Sequence, residues 1–167
     1  YFRVYKNAKN LIFKNLEFQN FGNGVFRILD EISNISFEEI TIRNVTRFVE
    51  NYYSGAAQGA TASFDGLTIK YLDIRGYSRG VMRALDSSKN IEIAHVFADS
   101  EQQVNSDSSA FSQGFHFDDT VSNVFLRKVT SINHFHSNGS SYWNADSFVA
   151  EKNVKNISLL ECIAAGN

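Results

Sequence analysis

Apolar residues recur along this chain in pairs two positions apart, and the pairs themselves recur in a fixed phrase. The phrase reads NLIFKNLEFQN from Asn10, NISFEEITIRN from Asn34, GLTIKYLDIRG from Gly66, NIEIAHVFADS from Asn90, NVFLRKVTSIN from Asn123 and NISLLECIAAG from Asn156. The starts are separated by 24, 32, 24, 33 and 33 residues. With the first residue as position 0, position 1 is Leu11, Ile35, Leu67, Ile91, Val124 and Ile157, and position 3 is Phe13, Phe37, Ile69, Ile93, Leu126 and Leu159. Position 6 is Leu16, Ile40, Leu72, Val96, Val129 and Cys162, and position 8 is Phe18, Ile42, Ile74, Ala98, Ser131 and Ala164. A spacing of two is the period of a strand with one buried face. Mostly polar residues separate the two pairs, as in Lys14-Asn15 and Glu38-Glu39. Each phrase therefore predicts a short strand, a tight bend and a second short strand.

A third strand precedes most phrases. Ten residues back from Asn34, Asn90 and Asn156 lie GVFRILD, GVMRALD and DSFVAEK, and QGFHFDD stands before Asn123. Phe26, Met82, Phe115 and Phe148 then form one inward column, and Ile28, Ala84, Phe117 and Ala150 the next. The stretch AAQGATASFDG before Gly66 does not align and is left unassigned. Three short strands per repeat, with like residues in columns, predict an all-β, right-handed parallel β-helix of about six coils forming a single domain over 1–167. A propeller would need four antiparallel strands per blade, which these repeats do not supply. Asn at position 0 in five of six phrases predicts a ladder of side-chain amides at a recurring bend.

The segments after position 10 vary from YSRG to VTRFVENYYSGAAQGAT, EQQVNSDSSAFSQG and HFHSNGSSYWNAD. Long loops leaving one corner would wall a groove along the neighbouring strands, the usual binding face of a solenoid. The outward residues of those strands are Arg27, Arg83, His116 and Val149 in one column. Leu29, Leu85, Asp118 and Glu151 follow in the next, then Asp30, Asp86, Asp119 and Lys152. With about 4.8 Å between strands, His116, Asp118, Asp119, Asp146, Glu151 and Lys152 are expected within roughly 5–10 Å of one another. Asp118, Asp119, Asp146 and Glu151 would repel unless a cation or basic partners intervene. A Ca²⁺ ion with oxygen ligands is one resolution, and a network with Lys152 and His116 is the other. Lys152, Arg83 and His116 are the candidate catalytic groups, although carboxylates beside Lys152 would raise its pKa, the wrong direction for a base. Arg27, Arg83, His116, His134, Tyr142 and Trp143 are the candidate substrate-binding residues, the aromatic faces being suited to sugar rings.

Composition narrows the picture. A hydrophobic fraction of 43% with 15 Phe and 7 Tyr supports a real core. The net charge of −2 argues against a general nucleic-acid binder. No apolar run approaches the roughly 18 residues of a membrane span. One Cys excludes an internal disulfide, and the chain has no Pro.

The segment NADSFVAEKNVKNISLLECIAAGN, residues 144–167, resembles the part of family 9 pectate lyases that carries their first calcium aspartate. The resemblance implies a right-handed parallel β-helix of the pectate lyase-like superfamily that cleaves polyuronides by Ca²⁺-assisted β-elimination. Asp146 matches that aspartate, Phe148 the inward Phe and Cys162 the inward Cys, while Ser147 stands where the family has Gly. The family's remaining aspartates and its catalytic lysine have no counterpart here. The resemblance also implies an acidic polysaccharide partner and a secreted, periplasmic or cell-surface location. A non-catalytic glycan-binding or structural β-helix, or a glycoside hydrolase or epimerase on the same fold, is the alternative. The chain reads as part of a longer helix, its last coil covered by further residues of the same polypeptide or by another chain.

Overall fold

The computed structural model describes residues 1–4, 8–51, 62–102, 112–135 and 145–166. Among them the chain is all β, without a helix. In chain order the strands are β1 (Phe2–Val4), β2 (Lys9–Phe21), β3 (Phe26–Ile28), β4 (Glu31–Glu50), β5 (Ser63–Ala84) and β6 (Lys89–Asp99). They continue with β7 (Gln113–Phe117), β8 (Ser122–Ile132), β9 (Phe148–Ala150), β10 (Lys155–Leu160) and β11 (Ile163–Ala165). Every pairing among these strands is parallel.

The repeated phrase explains the register. Each copy pairs with the next so that position 1 meets position 1, along Leu11, Ile35, Leu67, Ile91, Val124 and Ile157. Positions 3 and 8 stack the same way, the last step of position 8 being Ser131 on Ala164. These columns are the core: Ile35, Phe37, Ile42, Leu67, Ile69, Ile74 and Ile93 are fully buried. A one-residue slip would turn every buried side chain to the opposite face, so the alternation itself fixes the pairing.

The bends have a uniform conformation. The central residue of each phrase, Asn15, Glu39, Tyr71, His95, Lys128 or Glu161, is left-handed, with φ between 53° and 56°. So is the first residue wherever it is Asn, with φ from 54° to 57°. Asn tolerates this region better than most residues, and its side chain adds a ladder. Asn34 donates to Asn10 at 3.1 Å, Asn123 to Asn90 at 3.2 Å and Asn156 to Asn123 at 3.0 Å. Gly66 interrupts the column, and Asp65 supplies the acceptor for Asn90 at 2.8 Å. Replacing Asn90 by Ala should cost about 1–2 kcal/mol, from the lost ladder bonds and an Ala forced to positive φ. Asn90→Gly should cost visibly less, because only the bonds are lost. Chemical denaturation of both variants checks the order, and equal losses would mean that the backbone angle contributes nothing.

The third-strand column runs through Phe2, Phe26, Val49, Met82, Phe115 and Phe148 in continuous register. The repeat that closes on Gly66 thus has its third strand at Val49–Glu50, inside the segment expected to be a loop. This corrects the expectation that long loops leave a single corner. Residues 103–111 and 136–144 precede a third strand, whereas 52–61 follow one. Counting back from Gly66 fails because the count ends inside that insertion. Asn51 ties the corner together across it. Its amide nitrogen donates to Ala62 O at 2.7 Å, Leu85 O at 2.8 Å and Ser88 Oγ at 3.0 Å, and its oxygen accepts from Leu85 N at 2.8 Å. At the far end, β10 and β11 pair only with β8 among the described strands, and Leu159, Leu160 and Ile163 are exposed there.

Candidate functional site

Alternation along the third strands turns one residue per repeat outward next to the inward column. The register stacks Arg3, Arg27, Glu50, Arg83, His116 and Val149. Glu50 occupies the place that the sequence left blank. It is buried, it accepts a hydrogen bond from Arg47, and its carboxylate lies 3.4 Å from Arg27 Nε. The Tyr1 ring lies against the guanidinium carbons of Arg3 and Arg27, at 4.9 and 4.8 Å from its centroid. Such contacts hold a guanidinium in place.

The face changes sign toward the later repeats. His116 Nε2 lies 3.3 Å from Glu151. Lys152 Nζ lies 3.2 Å from Asp118 and 3.1 Å from Asp119, and the Asp119 N–H donates to Asp118 at 2.7 Å. Burial, together with repulsion from Arg83, lowers the His116 pKa against the opposing pull of Glu151. Burial acts to raise Asp118, but the Asp119 N–H and Lys152 outweigh it and hold the carboxyl below its ordinary value. Hydrogen bonds from Lys152 to Asp119 and Asp118 raise the Lys152 pKa, which keeps the ammonium charged and makes it a poor base. Burial raises the neighbouring Asp86 carboxyl, helped by Asp119 and Asp118.

The expected cluster is therefore assembled in part. His116, Asp118 and Glu151 each offer a ligand atom within 4.8 Å of the others. Asp119 joins through Lys152. Asp146, which lies before the start of β9, is not among the three residues that come together within that distance. These residues do not fit a Ca²⁺ site. Calcium takes six to eight oxygen ligands, whereas here one donor is an imidazole and an ammonium already bridges the two aspartates.

His134 needs correction as a groove residue. It is buried, its Nε2 lies 2.7 Å from the Tyr77 hydroxyl, and Ser131 Oγ is 3.3 Å away. The chain turns inward after Asn133, so this histidine closes the corner of the core. Tyr142 and Trp143 lie outside the described residues. Arg47, Glu50 and Gln113 escape the sequence reading. The alternation in RFVE signals the first two, but only once Val49 is recognised as an inward position.

No family model matches the chain, and no curated protein or solved structure matches it either.

Proposed function

We propose that the chain is a right-handed parallel β-helix that binds acidic polysaccharide along its outward arginine face and acts on it as a polysaccharide lyase-like protein. The observation that carries this reading is the outward column of Arg3, Arg27, Arg83 and His116, interrupted by Glu50 between Arg27 and Arg83, with Arg47 beside it and further carboxylates at its later end. The helical reading is supported by parallel pairing between successive repeats and by left-handed bends at like positions in each.

Arg27 and Arg83 stand two strands apart, about 9.6 Å, with Glu50 between them, a spacing suited to alternate rings of a linear acidic polymer. Guanidiniums that bind the carboxylate would stabilise the charge that develops when the adjacent C–H proton leaves. Of the three candidate catalytic groups, His116 is the one suited to take that proton. Its lowered pKa favours the neutral imidazole that a base requires, and its Nε2 lies beside Glu151 at the later end of the face. Binding without catalysis is the second reading, favoured by the ion-paired state of Lys152. No described helix is long and apolar enough to cross a membrane. The location proposed is where such polymers occur: secreted, periplasmic or at the cell surface.

Incubation with polygalacturonate or alginate tests the reading. We expect binding, and the ultraviolet absorbance of an unsaturated product that rises with time. His116→Asn should lower turnover by about 10²-fold or more and leave binding in place. Binding without product would make the chain a glycan-binding module. No binding to either polymer would overturn the proposal.

A further inference from the structure

Arg47 sits in a slot made by two glycines. A Cβ on Gly24 would lie 3.2 Å from the Arg47 carbonyl oxygen, and one on Gly80 would lie 3.7 Å from Arg47 Nε and 2.8 Å from the carbonyl oxygen of Gln113. Gly80 pairs in register with Arg47 on one side and Gln113 on the other, so no side chain stands between these two positions in that row. The only carboxylate that the described residues place on Arg47 is that of Glu50, which also serves Arg27. Burial and repulsion from Arg83, Arg79 and Arg27 hold the Arg47 guanidinium down to about 9. Gln113 is 6% exposed, yet its Nε2 has no acceptor among the described residues. A buried donor without an acceptor is uncommon, because it forfeits its hydration. Through Gly80 it shares a register row with Arg47, which has Arg83, Arg79 and Arg27 around it.

We propose that Arg47, Arg83 and Gln113 line a carboxylate subsite that holds an acidic sugar by fixed positive charge and hydrogen bonds, without a divalent cation. The inference rests on the acidic-glycan reading above and names the group recognised, a free uronate carboxylate. Guanidinium forks match a carboxylate in two-point geometry, and the Gln113 amide adds a directed donor. Glu50 is the internal carboxylate in competition with the ligand for the same cations.

Calorimetric titration with polygalacturonate, in EDTA and in millimolar Ca²⁺, tests this, with the fully methyl-esterified polymer as the neutral control. Binding of the acid form is expected to be equal in EDTA and Ca²⁺, to weaken with salt, and to be absent for the ester. Arg83→Gln should weaken binding about 10-fold. Gln113→Leu should weaken it by a smaller factor, and Glu50→Gln should tighten it. If the buried Glu50 variant does not fold by circular dichroism, the Arg83 and Gln113 variants carry the test. Binding that EDTA abolishes, or that neither Arg83→Gln nor Gln113→Leu alters, overturns the subsite and leaves the acidic-glycan reading standing. No binding of the acid polymer under any condition overturns both.

Discussion

Replacing Phe26 by Ala is expected to destabilise the protein by about 4 kcal/mol, the largest single effect predicted for this chain. The ring is fully buried at the centre of an aromatic stack. Its centroid lies 4.7 Å from that of Phe37, 4.8 Å from Phe13, 5.1 Å from Phe2, 5.5 Å from Phe18 and 5.9 Å from Phe48. Removing it takes away the hydrophobic transfer of one large side chain and leaves a cavity walled by five rings, which the strand ladders on either side prevent from collapsing. Phe125, on the outer surface, is the control: Phe125→Ala should stay within about 0.5 kcal/mol. Urea titration checks both through the midpoint at constant m-value. A loss under about 2 kcal/mol for Phe26→Ala would show that the stack repacks.

Gly114→Ala is expected to cost about 3 kcal/mol, for a different reason. A methyl at this position would overlap Ser131 Oγ and the carbonyl oxygen of Ser147. The backbone there is pinned: Gly114 N–H donates to Asp146 O at 2.8 Å, Phe115 N–H to Ser147 O at 2.9 Å, and Ser147 Oγ to Ser131 O at 2.6 Å. One clashing partner is a carbonyl held in the ladder, so adding Ser131→Ala should restore only part of the loss. Gly22 has open space where a methyl would stand, with no atom within 4 Å, and should accept Ala at almost no cost. Full stability of Gly114→Ala in thermal melts would mean that β7 and β9 can separate freely.

The strand columns were legible because their signal is redundant. Leu11, Ile35, Leu67, Ile91 and Val124 repeat one choice five times, and no other register buries them together. The third strand near Val49 was not legible. Its phase could be read only by counting from a neighbouring phrase, and the insertion at 52–61 broke that count. The same break concealed Glu50, and with it Arg47, whose burial depends on Gly24 and Gly80 in other repeats. His116, Asp118 and Glu151 were legible as neighbours because equal repeat lengths put them in register. The depth of His134 was not. Alternation sets which way a strand residue faces, but His134 follows a bend at Asn133, where the period of two no longer applies.

Each strand in this architecture touches only the copies before and after it, at sequence separations set by the repeat length. The insertion at 52–61 shows what that permits: Ile35 still meets Leu67 and Phe37 still meets Ile69 across it. Change of length in one repeat is thus absorbed locally, and no distant contact has to adjust. The chain behaves as a linear series of interchangeable units, open to growth by in-frame duplication. A new loop can be acquired at one corner while the strand register of the other repeats is inherited intact.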